Sequence, residues 1–84
     1  MNAGIFYSHN VKQRLKLVEA SGEFISRIKY YGFYIDLHIL DKSFVEVYYN
    51  RYTNKVEQVE IMDPEDERMH LYAVHVNLSD LFKA

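Results

Sequence analysis

The strongest constraint on the fold is an alternation of apolar and polar residues that runs through three segments of the chain. The segments cover residues 33–40, 44–50 and 56–62, and short polar connections separate them. In the first two segments every second residue is apolar, and the third keeps this period at Val59 and Ile61. This is the period of a β-strand that places one face against a core. Strands joined by short connections usually pair with their neighbours in sequence, so this pattern predicts a three-stranded antiparallel meander.

The register of the first two strands depends on the length of the loop between them. A two-residue loop, 41–42, would pair His38 with Val45 and mix apolar with polar side chains on each face. A three-residue loop, 41–43, keeps the apolar side chains together and pairs His38 with Glu46. We therefore expect the longer loop. The shared apolar face would carry Phe33, Ile35, Leu37, Ile39, Val45, Val47, Val59 and Ile61.

The second connection, residues 51–55, carries its own turn signal. Asn54 readily adopts a positive φ, which a hairpin built on a type I turn requires at its last loop position. A loop of this length would pair Val47 with Val59. A bulge in either strand could shift this pairing by one residue.

A helix precedes the meander. Asn10 and Gln13 have the spacing of a capping box, in which each side chain bonds the backbone of the other residue. Beyond them, apolar residues recur every three or four positions, which is the period of one helix face. This phase continues to residue 31, and Gly32 fits the left-handed position that ends many helices. We expect one helix at about residues 11–31, packed on the apolar face of the sheet.

An alternative ends this helix at Ala20 and makes residues 23–31 a further strand. The segment is rich in β-branched and aromatic residues, which favours a strand. Its pattern favours a helix, because a regular strand would place Arg27 and Lys29 on the same face as Ile25. We prefer the long helix. The choice matters because a fourth strand changes which sheet face is free.

Asp63 and Pro64 mark the start of a second helix, since aspartate caps helices and proline suits their first position. The acidic residues that follow favour the positive end of a helix dipole. We expect a short helix at about residues 64–74 and a terminal turn capped by Ser79. The chain of 84 residues is predicted to form a single α+β domain, residues 1–84.

Composition argues against several classes of function. The chain has no cysteine, so neither a disulfide nor a thiolate metal site is available. No basic leader and no apolar run of about 20 residues is present, so we expect a cytoplasmic protein without a membrane span. No serine or cysteine nucleophile stands beside a recognisable base, so we predict no enzymatic activity and no cofactor. The net charge of −2 does not favour nucleic acid as a partner.

The second face of the predicted sheet is the candidate working surface. In the expected register it carries aromatic and apolar side chains that the core does not use, and such exposed patches usually bind something. We predict a small non-enzymatic protein-interaction or accessory module that binds another protein or a second copy of itself. The predicted interaction face consists of Tyr34, Leu40, Phe44, Tyr48 and Met62.

Two other functions remain as alternatives. The basic face of the long helix would suit the phosphates of a nucleic acid, and a set of acidic residues with one histidine on the second sheet face would suit a divalent metal. The basic residues are Lys12, Arg14, Lys16, Arg27 and Lys29. The metal candidates are Asp36, His38, Glu46 and Glu60, of which the two glutamates are expected to pair across neighbouring strands.

Overall fold

The computed structural model describes residues 2–73, which form helices on both sides of one antiparallel sheet. Two helices come first, and four strands follow them in the spatial order β1-β2-β3-β4 before a last short helix. The predicted α+β class is confirmed, and the sheet has four strands rather than three. The expected turn at Ser79 lies outside the described residues. The elements are α1 (Ala3–Ser8), α2 (Val11–Ser21), β1 (Glu23–Tyr30), β2 (Phe33–Leu40), β3 (Ser43–Asn50), β4 (Val56–Met62) and α3 (Met69–Ala73).

The prediction of one long helix is wrong beyond Ser21, and the strand alternative is correct. Helix α2 begins with the expected capping box, in which Asn10 Oδ1 accepts from the Gln13 N–H at 2.8 Å and Gln13 Oε1 accepts from the Asn10 N–H at 2.9 Å. The helix ends at Gly22, whose extended backbone donates its N–H to the carbonyl of Val18. A Cβ at Gly22 would lie 2.6 Å from that carbonyl oxygen, so only glycine fits this exit.

The apolar residues of strand β1 recur with a spacing typical of a helix, because the strand contains an irregularity. Its pairing with β2 shifts by one residue between Phe24 and Ser26, as a β-bulge requires. The bulge changes which face the following residues occupy, so a regular alternation is not visible in the sequence. At the far end of β1 a two-residue turn leads into β2. Tyr31, rather than the neighbouring Gly32, has the positive φ there, at 55°.

The hairpin between β2 and β3 has the two-residue loop that mixes the faces, so the predicted register is wrong. Asp41 and Lys42 both have positive φ, 48° and 65°, as a type I′ turn requires. Leu37 therefore pairs with Glu46, and His38 pairs with Val45. The mixed register is stable because helices cover both faces of the sheet, so neither face has to be wholly polar.

Two hydrophobic cores result, one on each side of the sheet. The core under α1 and α2 contains Phe6, Val18, Leu40, Val45, Val47 and Val59. The core under α3 contains Ile28, Ile35, Leu37, Phe44, Met62 and Tyr72. We call these two sides the α1–α2 face and the α3 face.

The hairpin between β3 and β4 follows the prediction. Its loop covers residues 51–55, Asn54 has a φ of 60°, and Val47 pairs with Val59. A shift of register after Tyr48 leaves Glu57 with no residue opposite it in β3. The pairs farther along β4 are not disturbed.

The last helix is shorter than predicted. The expected helix start at Asp63 is a turn, in which Asp63 Oδ1 accepts from the Glu65 N–H at 2.9 Å and the Asp63 carbonyl accepts from the Asp66 N–H. Aspartate side chains often stabilise such turns in competition with a helix. Within residues 2–73, no helix is long and apolar enough to cross a membrane.

Candidate functional site

The five residues of the predicted interaction face do not form one surface, because that prediction assumed the wrong register. Leu40 is buried on the α1–α2 face, whereas Phe44 and Met62 are buried on the α3 face. Tyr48 is half-buried on the α3 face, where its hydroxyl donates to Glu46 at 3.3 Å. Tyr34 is half-buried on the opposite side of the sheet, opposite Tyr49 in β3.

The four metal candidates are also divided between the two faces. Asp36 and His38 lie on the α1–α2 face, because they pair with Val47 and Val45 of that core, whereas the paired Glu46 and Glu60 lie on the α3 face. Within the described part of the chain, no group of three or more metal-ligating side chains comes together. The predicted metal site is therefore wrong. Its four residues cannot share an ion.

The five basic candidates do not share a helix. Lys12, Arg14 and Lys16 belong to α2, whereas Arg27 and Lys29 belong to β1. Arg14 is turned into the fold, where its guanidinium donates to the carbonyls of His9, Val59 and Tyr7 at 2.9, 3.3 and 3.4 Å. The predicted basic helix face is therefore broken up.

Glu46 is the centre of a buried polar network that sequence reasoning missed. The residue is 1% exposed. Arg68 Nε and Nη2 donate to its two carboxylate oxygens at 3.0 and 2.8 Å, and the Tyr72 hydroxyl donates at 2.9 Å. Burial and the nearby carboxylate raise the pKa of Tyr72, and the same causes raise the pKa of Tyr48 to about 12. Both phenols are therefore neutral donors at physiological pH.

This network fastens α3 to the sheet. Helix α3 has five residues, too few to be stable alone, and it begins directly after Arg68. The hydrogen bonds to Glu46 raise the pKa of Arg68, so its charge is permanent. The only available signal in the sequence was a glutamate between Val45 and Val47 of an apolar strand. We assign the network to stability, because a carboxylate sealed from water cannot meet a ligand.

A second cluster of aromatic and charged residues lies at the end of the sheet where β1 turns into β2 and β3 turns into β4. Tyr31 and Tyr52 stand at these two turns and are 81% and 83% exposed. Among the large apolar and aromatic side chains of residues 2–73, these two are the most exposed. We call the cluster the tip surface. It consists of Arg27, Lys29, Tyr31, Tyr34, Arg51 and Tyr52.

Arg51 holds the two turns of the tip surface together. Its backbone N–H donates to the carbonyl of Gly32 at 3.0 Å, and its Nη1 donates to the carbonyl of Tyr31 at 3.1 Å. Its guanidinium also lies 5.7 Å from the ring centroid of Tyr34. The second turn is fixed internally, because Asn50 Oδ1 accepts from the backbone N–H of Tyr52 at 2.8 Å.

The tip surface is locally positive in a chain whose net charge is −2. Arg27 stacks between Tyr34 and Tyr49, at 5.2 and 5.3 Å from their ring centroids, and binds Asp36 through two hydrogen bonds. The hydrogen bond to Asp36 raises the pKa of Arg27. Lys29 and Arg51 are exposed beside the tyrosines.

The chemistry of this surface is suited to binding. Exposed tyrosine rings supply contact area, and guanidinium and ammonium groups supply charge-assisted hydrogen bonds. Part of this signal is present in the sequence: "NRYTN" predicts a turn, whereas "YYG" is expected to end a helix, and nothing in the sequence shows that the two segments adjoin.

Comparisons of the chain with protein-family models, with curated proteins and with solved structures found no match.

Proposed function

We propose that this protein is a non-catalytic protein-interaction module that binds its partner through the tip surface. The observation that carries the proposal is the near-complete exposure of Tyr31 and Tyr52 on two turns that hydrogen bonds hold in place. Tyrosine and arginine dominate the energetics of protein interfaces, because they combine large contact area with a polar end.

Rigid turns make these tyrosines effective anchors. Binding is weakened by the entropy lost when mobile side chains and loops become ordered, about 0.5–1.5 kcal/mol for each side chain. The backbone of both turns is already ordered through Arg51 and Asn50. Antibody loops use the same combination of tyrosine, asparagine and glycine on a fixed scaffold.

The backbone of Tyr31 supports a binding role independently. A positive φ in a residue other than glycine, asparagine or aspartate costs about 1–2 kcal/mol, and Gly32 stands next to it with no such conformation. Strained residues of this kind are concentrated at binding sites. The tyrosine side chain is thus kept at a position where the fold alone would favour glycine.

The two faces of the sheet and its β4 edge are less suited to a partner. Both faces are covered by helices, and two backbone groups of the edge strand β4 are already engaged. Arg14 donates to the Val59 carbonyl, and the Ile61 N–H donates to the Tyr7 hydroxyl at 2.9 Å. Side chains that occupy an edge in this way hinder the addition of another strand.

Nucleic acid is a second candidate, supported by one observation. The expected register would have placed Glu46 and Glu60 beside Tyr34, where they would repel phosphates. These glutamates lie on the α3 face instead, and Arg27 and Lys29 lie near the tyrosine. Single-stranded nucleic acid stacks on exposed aromatic rings beside basic groups. Titration with a labelled oligothymidine tests this candidate, with binding that weakens steeply as salt rises as the expected result.

Site-specific photo-crosslinking tests the main proposal. A benzophenone amino acid in place of Tyr52, introduced in the cells that produce the protein, should form a covalent adduct with a protein partner. The matched control carries the same amino acid at Phe24, an aromatic residue that is 55% exposed near the other end of β1. We expect no adduct from this position.

A second substitution separates binding from folding. Tyr31→Gly relieves the left-handed backbone and should stabilise the fold by about 1 kcal/mol. The same change should abolish the adduct at position 52, because it removes one of the two exposed rings. The proposal is wrong if positions 24 and 52 crosslink equally, or if the adduct survives Tyr31→Gly.

A further inference from the structure

The partner of the tip surface can be identified from the charges of the chain itself. We infer that the tip surface binds the turn at residues 63–67 of a second copy of this protein, in a head-to-tail arrangement. The inference rests on the proposed function, and it adds the identity of the partner and the geometry of the contact. It begins from the chemistry of that turn, which contains Asp63, Pro64, Glu65, Asp66 and Glu67. We call it the acidic turn.

The acidic turn complements the tip surface in charge. Asp63, Pro64, Glu65 and Glu67 are exposed. Carboxylates form strong charge-assisted hydrogen bonds with arginine and lysine, which the tip surface presents. Proline rings pack on exposed aromatic side chains, so Pro64 can contact Tyr31 or Tyr52.

The acidic turn is ordered before any contact forms. Asp63 accepts hydrogen bonds from the backbone of Glu65 and Asp66, and Asp66 Oδ1 accepts from the Arg68 N–H at 2.9 Å. Arg68 is in turn bound to the buried Glu46. Both halves of the contact are therefore fixed to the sheet, which reduces the entropy lost on association.

The two surfaces lie at opposite ends of the sheet. The acidic turn follows Met62, which pairs with Phe44 beside the β2–β3 turn, whereas the tip surface lies at the other end of the same strands. Strand β4 has seven residues, whose Cα atoms span about 20 Å in six steps of about 3.3 Å. The surfaces of one copy cannot meet each other, so the contact must join two copies.

This arrangement predicts how the protein assembles. A head-to-tail contact leaves one free tip surface and one free acidic turn on every dimer, so further copies can add to form chains or a closed ring. The weight-average mass should therefore increase with protein concentration and decrease as salt screens the charges.

Sedimentation with two single-surface variants tests the inference. Tyr52→Ser damages the tip surface and leaves the acidic turn intact, whereas Glu65→Lys with Glu67→Lys does the reverse. All three side chains are exposed, and circular dichroism checks that each variant is folded. We expect each variant alone to be monomeric. An equimolar mixture should form dimers and nothing larger, because only one intact junction is available.

Several outcomes would overturn the inference. The wild-type protein could stay monomeric at millimolar concentration in low salt, or the mixture of variants could stay monomeric. Self-association that survives the two lysine substitutions but not Tyr52→Ser would show that tip surfaces pair with each other. An adduct at position 52 with a different protein, or binding of an oligothymidine without self-association, would also exclude a second copy as the partner. An adduct with a different protein would leave the proposed function standing, whereas the complete absence of an adduct would remove both.

Discussion

Replacing Arg68 by methionine removes the two hydrogen bonds that Arg68 donates to the buried carboxylate of Glu46 and keeps most of the side-chain volume. Glu46 is then left with the hydroxyls of Tyr72 and Tyr48 in a site where it is 1% exposed. A buried charge that loses its counterion is strongly destabilising, because neither water nor protein compensates for it.

The expected loss of stability is about 3 kcal/mol. Removal of one partner from a buried ion pair costs about 3–5 kcal/mol. We take the lower end, because the Arg68 side chain is 24% exposed and water can enter from its side. A domain of 84 residues has a total stability of about 4–13 kcal/mol. The substitution therefore removes a large part of it and lowers Tm by about 12–24 °C.

Urea unfolding followed by circular dichroism measures this loss, and a second arginine provides the matched control. Arg27 makes the same two-point contact with Asp36, but its side chain is 49% exposed. The Asp36 side chain is 10% exposed and stays within reach of water once Arg27 is removed, so Arg27→Met should cost less than Arg68→Met, about 1–2 kcal/mol. Hydrogen exchange should also show loss of protection in α3 for Arg68→Met alone.

A double-mutant cycle provides the sharpest check. If Arg68 stabilises the fold through Glu46, then Arg68→Met should cost far less in a chain that already carries Glu46→Met. Equal costs in the two backgrounds, or a cost below about 1 kcal/mol for the single variant, would refute the role of the network.

Three further predictions concern the backbone and the response to pH. Gly22→Ala should cost about 1–3 kcal/mol, because its Cβ would lie 2.6 Å from the Val18 carbonyl oxygen, whereas Gly32→Ala, whose Cβ meets nothing within 4 Å, should be neutral or slightly stabilising in the same unfolding assay. Asn54→Ala should destabilise the β3–β4 hairpin by about 1 kcal/mol and Asn54→Gly should not, because the φ of 60° is strained for alanine alone; equal Tm values for these variants would contradict this. Burial lowers the pKa of His38 from its usual 6.5, so the unfolded chain binds a proton first and stability should fall as pH decreases below 6.5. His38→Gln should flatten that part of the stability profile, and an unchanged slope would show that another group is responsible.

Much of the fold depends on residues that are close in sequence, and these features were predictable. The capping box at Asn10 and Gln13 needs two residues three positions apart. The β3–β4 hairpin needs only a loop of the right length and Asn54 at the position of positive φ. The pairing of Val47 with Val59 follows from them. Local hydrogen bonds and backbone preferences determine such features, and both can be read from neighbouring residues in the sequence.

The elements that depend on distant contacts were decided by the tertiary structure. Alternation shows that β2 and β3 each have an apolar face, but it does not show that these faces point to opposite sides of the sheet. That becomes favourable only when helices cover both sides. The same coverage buries Glu46, and its partners Arg68 and Tyr72 lie more than twenty residues away along the chain.

The candidate site shows this division most clearly. The sequence by itself predicted that Tyr52 stands in a turn, because asparagines accompany it, but it placed Tyr31 at the end of a helix. Only the four-stranded order of the sheet brings those turns to the same end, where Arg51 bonds across them. That order depends on strand β1, which pairs with β2. The bulge in β1 gives its sequence the spacing of a helix. The physical reason is that turn formation is a local property of the backbone, whereas the adjacency of two turns depends on which strands pair.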